Sequence, residues 1–249
     1  MRFFVRPGLL TLAALFAVSA SAQVTEPPPI IQLVRMPGAD ANLKPYTGAA
    51  LEVIGMTAIT GVPETWLLEA HQSFASIEEL DQRLDSQHVM PANDTQTLIA
   101  ICRDDWSYRA ADASRLFARA RYFRISVQQI KSGAEGDFGQ LIQLRRQTEE
   151  SMGLDRPEIA YQVVSGAPVG TYLFVAPVVS LRKFDDARPG VPVYAESLAE
   201  IRARAKAKIA PDAEVSHDNY LLRVEPQRSY VSDAFAEQDP IFWRGKGAQ

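Results

Sequence analysis

The chain has 249 residues, of which 47% are apolar and 22% charged, with 26 basic against 30 acidic side chains. That is enough apolar material for a sizeable core in one or two domains, and it excludes a disordered or collagen-like chain. A single cysteine excludes a disulfide scaffold, and a net charge of −4 excludes nucleic-acid binding through a basic surface.

Residues 1–22 have the three parts of a secretory signal: Arg2 and Arg6, an apolar run from Leu9 to Val18, and Ala20-Ser21-Ala22 before Gln23. The run is too short for an ordinary transmembrane helix, and no later stretch reaches about 18 apolar residues. The mature chain is expected in the periplasm or outside the cell, with no membrane-spanning segment after cleavage; an uncleaved anchor is the alternative. In an oxidising compartment Cys102 has no partner in its own chain. Its setting, Leu98 to Cys102, reads as a strand holding it as a small buried hydrophobe, the alternative being a reactive thiol or an intermolecular disulfide.

In chain order, strand Ile30 to Arg35 leads to a short helix near Thr47 to Ile54 and strand Met56 to Thr60. The turn Gly61-Val62-Pro63-Glu64 opens a strand that begins Thr65-Trp66. Helix Ser76 to Ser86 starts on a capping serine, and strand Thr97 to Arg103 follows. The same series then repeats. Strand Arg121 to Ile130 leads to helix Asp137 to Met152, with Gly153 as its C-cap, and to strand Ala160 to Ser165. Gly166 to Gly170 turns the chain into Thr171-Tyr172-Leu173-Phe174. Ser180 to Asp185 matches Ser76 to Asp81, helix Ser197 to Ile209 follows, and strand Asn219 to Glu225 closes the copy. Trp106-Ser107-Tyr108 and Arg228-Ser229-Tyr230 match in the same order, and the extra length of the second copy falls between Ala187 and Ala213. Each copy is β-α-β-β-α-β, the ferredoxin-like order. The fold class is thus α+β with tandem ferredoxin-like repeats, residues 23–112 and 113–249.

Two such units with Gly- and Pro-containing hairpins resemble the dimeric α/β-barrel superfamily, in particular its NIPSNAP-like and antibiotic-biosynthesis-monooxygenase-like members. The stretch Ser229 to Ser232 and the ending Asp239 to Trp243 are similar to those of exported bacterial members, and the likeness covers nearly all of the mature chain. The resemblance implies an intramolecular version of a barrel that single-copy relatives build as dimers. It implies little about activity, because the superfamily holds oxygenases, haem degraders, isomerases and dismutating enzymes. The Asn, Trp and His combination of the haem degraders is not found at matching positions, so haem is not implied.

Strand alternation nominates site residues. On Arg121 to Ile130, Phe123, Ile125 and Val127 oppose Tyr122, Arg124, Ser126 and Gln128; on Asn219 to Glu225, Tyr220, Leu222 and Val224 oppose Leu221, Arg223 and Glu225. If the apolar sets pack on helices, then Tyr122, Arg124, Gln128, Arg223 and Glu225 face the barrel interior, where two arginines suit an anionic or carbonyl-bearing ligand. The alternative is a solvated surface, or an Arg124–Glu225 pair across neighbouring strands. Glu69 and His71 share a strand face, a spacing that suits proton transfer as well as a structural or exposed pair. Trp66 and Tyr172 look like matching positions, as core packing or as a cofactor platform. His88 and His217 lie in polar loops, so no metal site is expected, and no cofactor motif is present. Helix Ser197 to Ile209 has Leu198, Ile201, Ala205 and Ile209 on one stripe and its basic residues mostly elsewhere, which reads as a solvated outer helix face, the alternative being contact with a membrane surface or an acidic partner. The apolar tail Asp239 to Trp243 is expected to pack back on the domain or on a second subunit.

The functional expectation is a small-molecule ligand between the two sheets, with catalysis and homo-oligomerisation left open and cofactor-independent monooxygenase-like activity as the enzymatic form. The alternative is a non-catalytic envelope protein that binds a partner.

Overall fold

Alternation of apolar and polar residues sets most of the strands, and the hairpin glycines set where they turn. In the structure, a computed structural model describing residues 26–38, 52–87, 94–187, 203 and 213–245, the first half contains β1 (Ile30–Pro37), β2 (Val53–Ala58), β3 (Glu64–His71), α1 (Phe74–Gln87), β4 (Gln96–Cys102) and α2 (Ala110–Phe117). The second half contains β5 (Tyr122–Ile130), α3 (Glu135–Ser151), β6 (Ile159–Ser165), β7 (Thr171–Val178), β8 (Glu214–Val224), α4 (Asp233–Ala236) and α5 (Pro240–Arg244). The signal segment and, apart from Ala203, helix Ser197 to Ile209 lie outside the described residues. So does most of the helix expected near Thr47 to Ile54, whose last two residues, Val53 and Ile54, belong to β2. Gly153 follows α3 with a left-handed φ of 59°, as a C-cap glycine does. The boundary expected after residue 112 falls inside α2. Among the described residues no helix is long and apolar enough to cross a membrane.

The strands close into an antiparallel barrel in the order β1-β3-β2-β8-β5-β7-β6-β4. An eight-stranded barrel has an interior just wide enough to be filled by side chains. Here Leu33, Met56, Leu68, Ile125, Leu173 and Leu222, none more than 1% exposed, join Leu98 of β4 and Ile159 of β6 in one apolar cluster. All eight strands contribute, so this cluster is the interior. The expectation that the polar faces of β5 and β8 point inward is therefore overturned. The closed interior is the driest place in the fold and takes the apolar set, while the helices receive the mixed set.

Antiparallel alternation makes β4 and β8 run the same way, so the helices after them meet at one end of the barrel. There Phe117 of α2 meets Phe123 edge-on at 5.1 Å. Phe235 of α4 meets Trp243 of α5 edge-on at 5.3 Å, and the Trp243 indole donates to the Ala118 carbonyl at 2.6 Å. The C-terminal tail thus packs back on its own barrel. At the other end Arg35 lies over Trp66 and Tyr220, 4.6 and 5.0 Å from the ring centres, and pairs with Glu64 at 3.1 Å.

The matched Ser-Tyr segments hold the seams. The Ser107 hydroxyl donates to Arg103 O at 2.8 Å and accepts from Ala160 N at 2.9 Å, and Tyr108 bridges Glu158 beside β6. The Ser229 hydroxyl donates to Glu225 O at 2.8 Å and accepts from Gly55 N at 2.9 Å, and Tyr230 bridges Val53 of β2. Each half therefore pins its tail onto a strand of the other. Gly55 must be glycine, because a Cβ there would lie 2.4 Å from the Arg228 carbonyl oxygen.

Candidate functional site

With the interior filled, polar side chains collect on the outer faces of the two sheets. The expected ligand set from β5 and β8 is found there, spent largely on internal contacts. Arg124 donates to Glu158 at 3.0 Å, not to Glu225. Glu158, buried, also accepts from Arg145 of α3 at 2.6 Å, and Arg145 clamps Glu149 at 3.0 Å. Two nearby carboxylates hold the Arg145 guanidinium firmly charged, while burial pushes the Glu149 carboxyl above its usual range. Gln128 meets His217 at 3.2 Å, and Arg223 pairs with Glu225 at 2.9 Å in the open. His217 also meets Glu214 at 3.1 Å, a carboxylate neighbour the sequence reading passed over. Tyr122 stands opposite Arg223 and faces outward with it.

Trp66 and Tyr172 do not match. Trp66 is inside the barrel, whereas Tyr172 packs outside with Trp106 and Phe138 of α3. Aligning the two strands on their Thr-aromatic motif is out by one residue, which exchanges the faces.

Along α3 the outer face opens into a groove of about 550 Å³, a volume within the usual range for small-molecule sites. Trp106 and Tyr172 form its apolar floor, and Glu135, Gln140, Gln143 and Gln162 supply polar groups. Arg103 lies over Trp106 at 4.3 Å and donates to Gln162 at 2.9 Å and to Asp105 at 2.8 and 2.9 Å. That pairing holds the Asp105 carboxyl below its usual range. Room comes from glycine: a Cβ on Gly136 would meet nothing within 4 Å, and one on Gly139 would press on Trp106 at 3.0 Å. Sequence reading missed this groove, since its walls come from the segment after β4 and from α3, β6 and β7 and share no motif.

Glu69 and His71 point outward from β3 on the other half and are sealed, 1% and 0% exposed. His71 Nε2 stands 3.7 Å from Glu69 Oε2, beyond hydrogen-bond length. Both atoms are buried without a partner, as is Oε1 of Gln32, the residue opposite Glu69 on β1. On the far side of the ring, Nδ1 lies 3.4 Å from Ser76 Oγ, whose own proton goes to Ser73 O at 2.7 Å. The hydroxyl is thus free to accept an N–H from the Nδ1 side of the ring.

No protein-family model matches the sequence, and no curated protein matches it. Among solved structures, an anthrone oxidase-like protein superposes with a TM-score of 0.51 at 9% identity, over 81% of this chain and 93% of its own. The fold is that of a dimeric α/β barrel. More distant matches are a protein proposed as a monooxygenase from Lactobacillus acidophilus NCFM (TM-score 0.46, 10% identity, 83% of this chain and 100% of the other) and a chlorite dismutase variant from Candidatus Nitrospira defluvii (TM-score 0.48, 9% identity, 88% and 98%). At such identities the likeness is one of fold.

Proposed function

We propose that this chain is an exported α/β-barrel protein that takes a small carbonyl-bearing molecule in the groove along α3 and acts on it in a monooxygenase-like way without a resident redox cofactor. The groove itself carries the binding part of this reading, being of ligand size, floored by two aromatic rings and edged by amides that can donate to a carbonyl. Because Arg103 is already engaged by Asp105, the groove suits a neutral carbonyl better than a free anion. Shared fold with the anthrone oxidase-like protein supports the enzymatic part, and Arg2, Arg6 and the run to Ala22 support export. The barrel is read as two fused ferredoxin-like copies, supported by the recurrence of one strand order and one Ser-Tyr device in each half.

A second reading, a partner-binding envelope protein, is favoured by Val62 and Val169, 72% and 81% exposed at the two hairpin tips. Native mass spectrometry of protein purified from its own host, before and after denaturation, separates the two. The groove reading expects a co-purifying small molecule that disappears in Gly136→Trp, a substitution that fills the groove without touching the core. A retained protein partner with no small molecule, or a small molecule indifferent to Gly136→Trp, would sink it.

A further inference from the structure

On the outer face of the first-half sheet three polar atoms are buried without a hydrogen-bond partner: Gln32 Oε1, Glu69 Oε2 and His71 Nε2, with Gln32 directly opposite Glu69 across the β1–β3 pair and Nε2 3.7 Å from Oε2. Burying three such polar atoms without partners is unfavourable unless something positive satisfies them together. We propose that Gln32, Glu69 and His71 bind one divalent transition-metal ion, a site separate from the groove in the other half.

Distance decides between occupants. Two ligands held 2.0–2.2 Å from a tetrahedral ion stand roughly 3.4 Å apart. Two acceptors around an ammonium group or a water, with hydrogen bonds of about 2.8 Å, stand roughly 4.5 Å apart. The observed 3.7 Å between Nε2 and Oε2 is closer to the metal spacing. The back of the imidazole agrees. A metal-binding histidine presents one nitrogen to the ion and donates its other N–H to a fixed acceptor, and here Ser76 at the start of α1 is that acceptor. One nitrogen, one carboxylate and one amide oxygen suit zinc, manganese or iron, and three protein ligands leave a coordination position open. One carboxylate against a divalent ion leaves a net positive charge, which a hydroxide or an anionic group in that position would balance. At the corresponding place in the other half the chemistry differs: Arg124 of β5 stands opposite Ala176 and is paired with Glu158.

The test uses chelator-treated mature protein titrated with Co²⁺, whose visible absorption reports low-coordinate nitrogen and oxygen ligation, with Zn²⁺ as competitor. One equivalent is expected per chain, lost in Glu69→Gln and in His71→Ala, and weakened at least about tenfold in Gln32→Leu. Uptake is expected to be unchanged in Gly136→Trp, so the groove reading and this one fail separately. No uptake, uptake indifferent to Glu69→Gln and His71→Ala, or uptake abolished by His217→Ala overturns the proposal, the last by assigning the ion adventitiously to the exposed His217–Glu214 pair. On the unsubstituted protein, Zn²⁺ is expected to move the His71 ring-nitrogen NMR resonances and not those of His217. A stationary His71 signal counts against the site even if the variants fail to fold.

Discussion

Cys102 ends β4 half-buried, with its thiol 3.4 Å from the Asp104 carboxylate. Burial first, and then that carboxylate, push the thiol up from 9.0 to about 12. At pH 8 the thiolate population then falls from about one in ten to about one in ten thousand. Iodoacetamide should alkylate native Cys102 about a thousandfold more slowly than the urea-unfolded chain, and Asp104→Asn should recover part of the rate. Equal rates in native and unfolded protein would show the thiol to be open and unperturbed. The sequence placed Cys102 correctly on a strand, and it also marked Glu69 and His71 through their spacing. It could not show Gln32 as their companion, because that contact depends on the cross-strand register of β1 and β3, which is a tertiary fact. Nor could it tell that Arg124 would be taken by Glu158, a residue just outside β6.

The short Ser-Tyr segments carry more of the architecture than their length suggests. Ser107 satisfies the buried Ala160 N–H, and Ser229 the Gly55 N–H, at points where the ladder passes from one half to the other. Ser107→Ala and Ser229→Ala should each cost about 1–2 kcal/mol, since each leaves a backbone donor without its partner. The two losses should be nearly additive, the sites being on opposite seams. Urea denaturation of both single variants and the double variant measures this, and a loss at only one of the two would show that the segments are not equivalent devices. Sequence alternation located all eight described strands to within a few residues, apart from the early start of β8 at Glu214. It could not say which face would be enclosed: two sets of side chains are visible in a strand, but only barrel closure decides which set is dry. Helix α2 was not recognised as such because eight residues give little more than two turns of periodicity.

At the scale of the molecule, the enclosed face binds the halves together. In the first half alone, Ile31, Leu33, Ile54, Met56, Trp66, Leu68 and Leu98 would lose the opposite wall of the barrel. Exposing seven such side chains costs on the order of 10–20 kcal/mol, comparable with or above the whole stability of an ordinary domain, about 5–15 kcal/mol. Neither half should therefore fold by itself, although each has four strands and its own helices. If the chain is opened after the exposed Arg119, with a short Gly/Ser extension on each new end, the separately expressed pieces should be insoluble or unfolded. Co-expressed, they should form a 1:1 pair, because the seams β2–β8 and β6–β4 and the two exchanged Ser-Tyr segments are complementary only between unlike halves. Size-exclusion chromatography with mass detection, followed by circular dichroism of each fraction, reads the outcome. A soluble single half with cooperative unfolding would mean that the interior is less shared than its eight-strand cluster implies, and the fused-copy reading would lose its energetic basis.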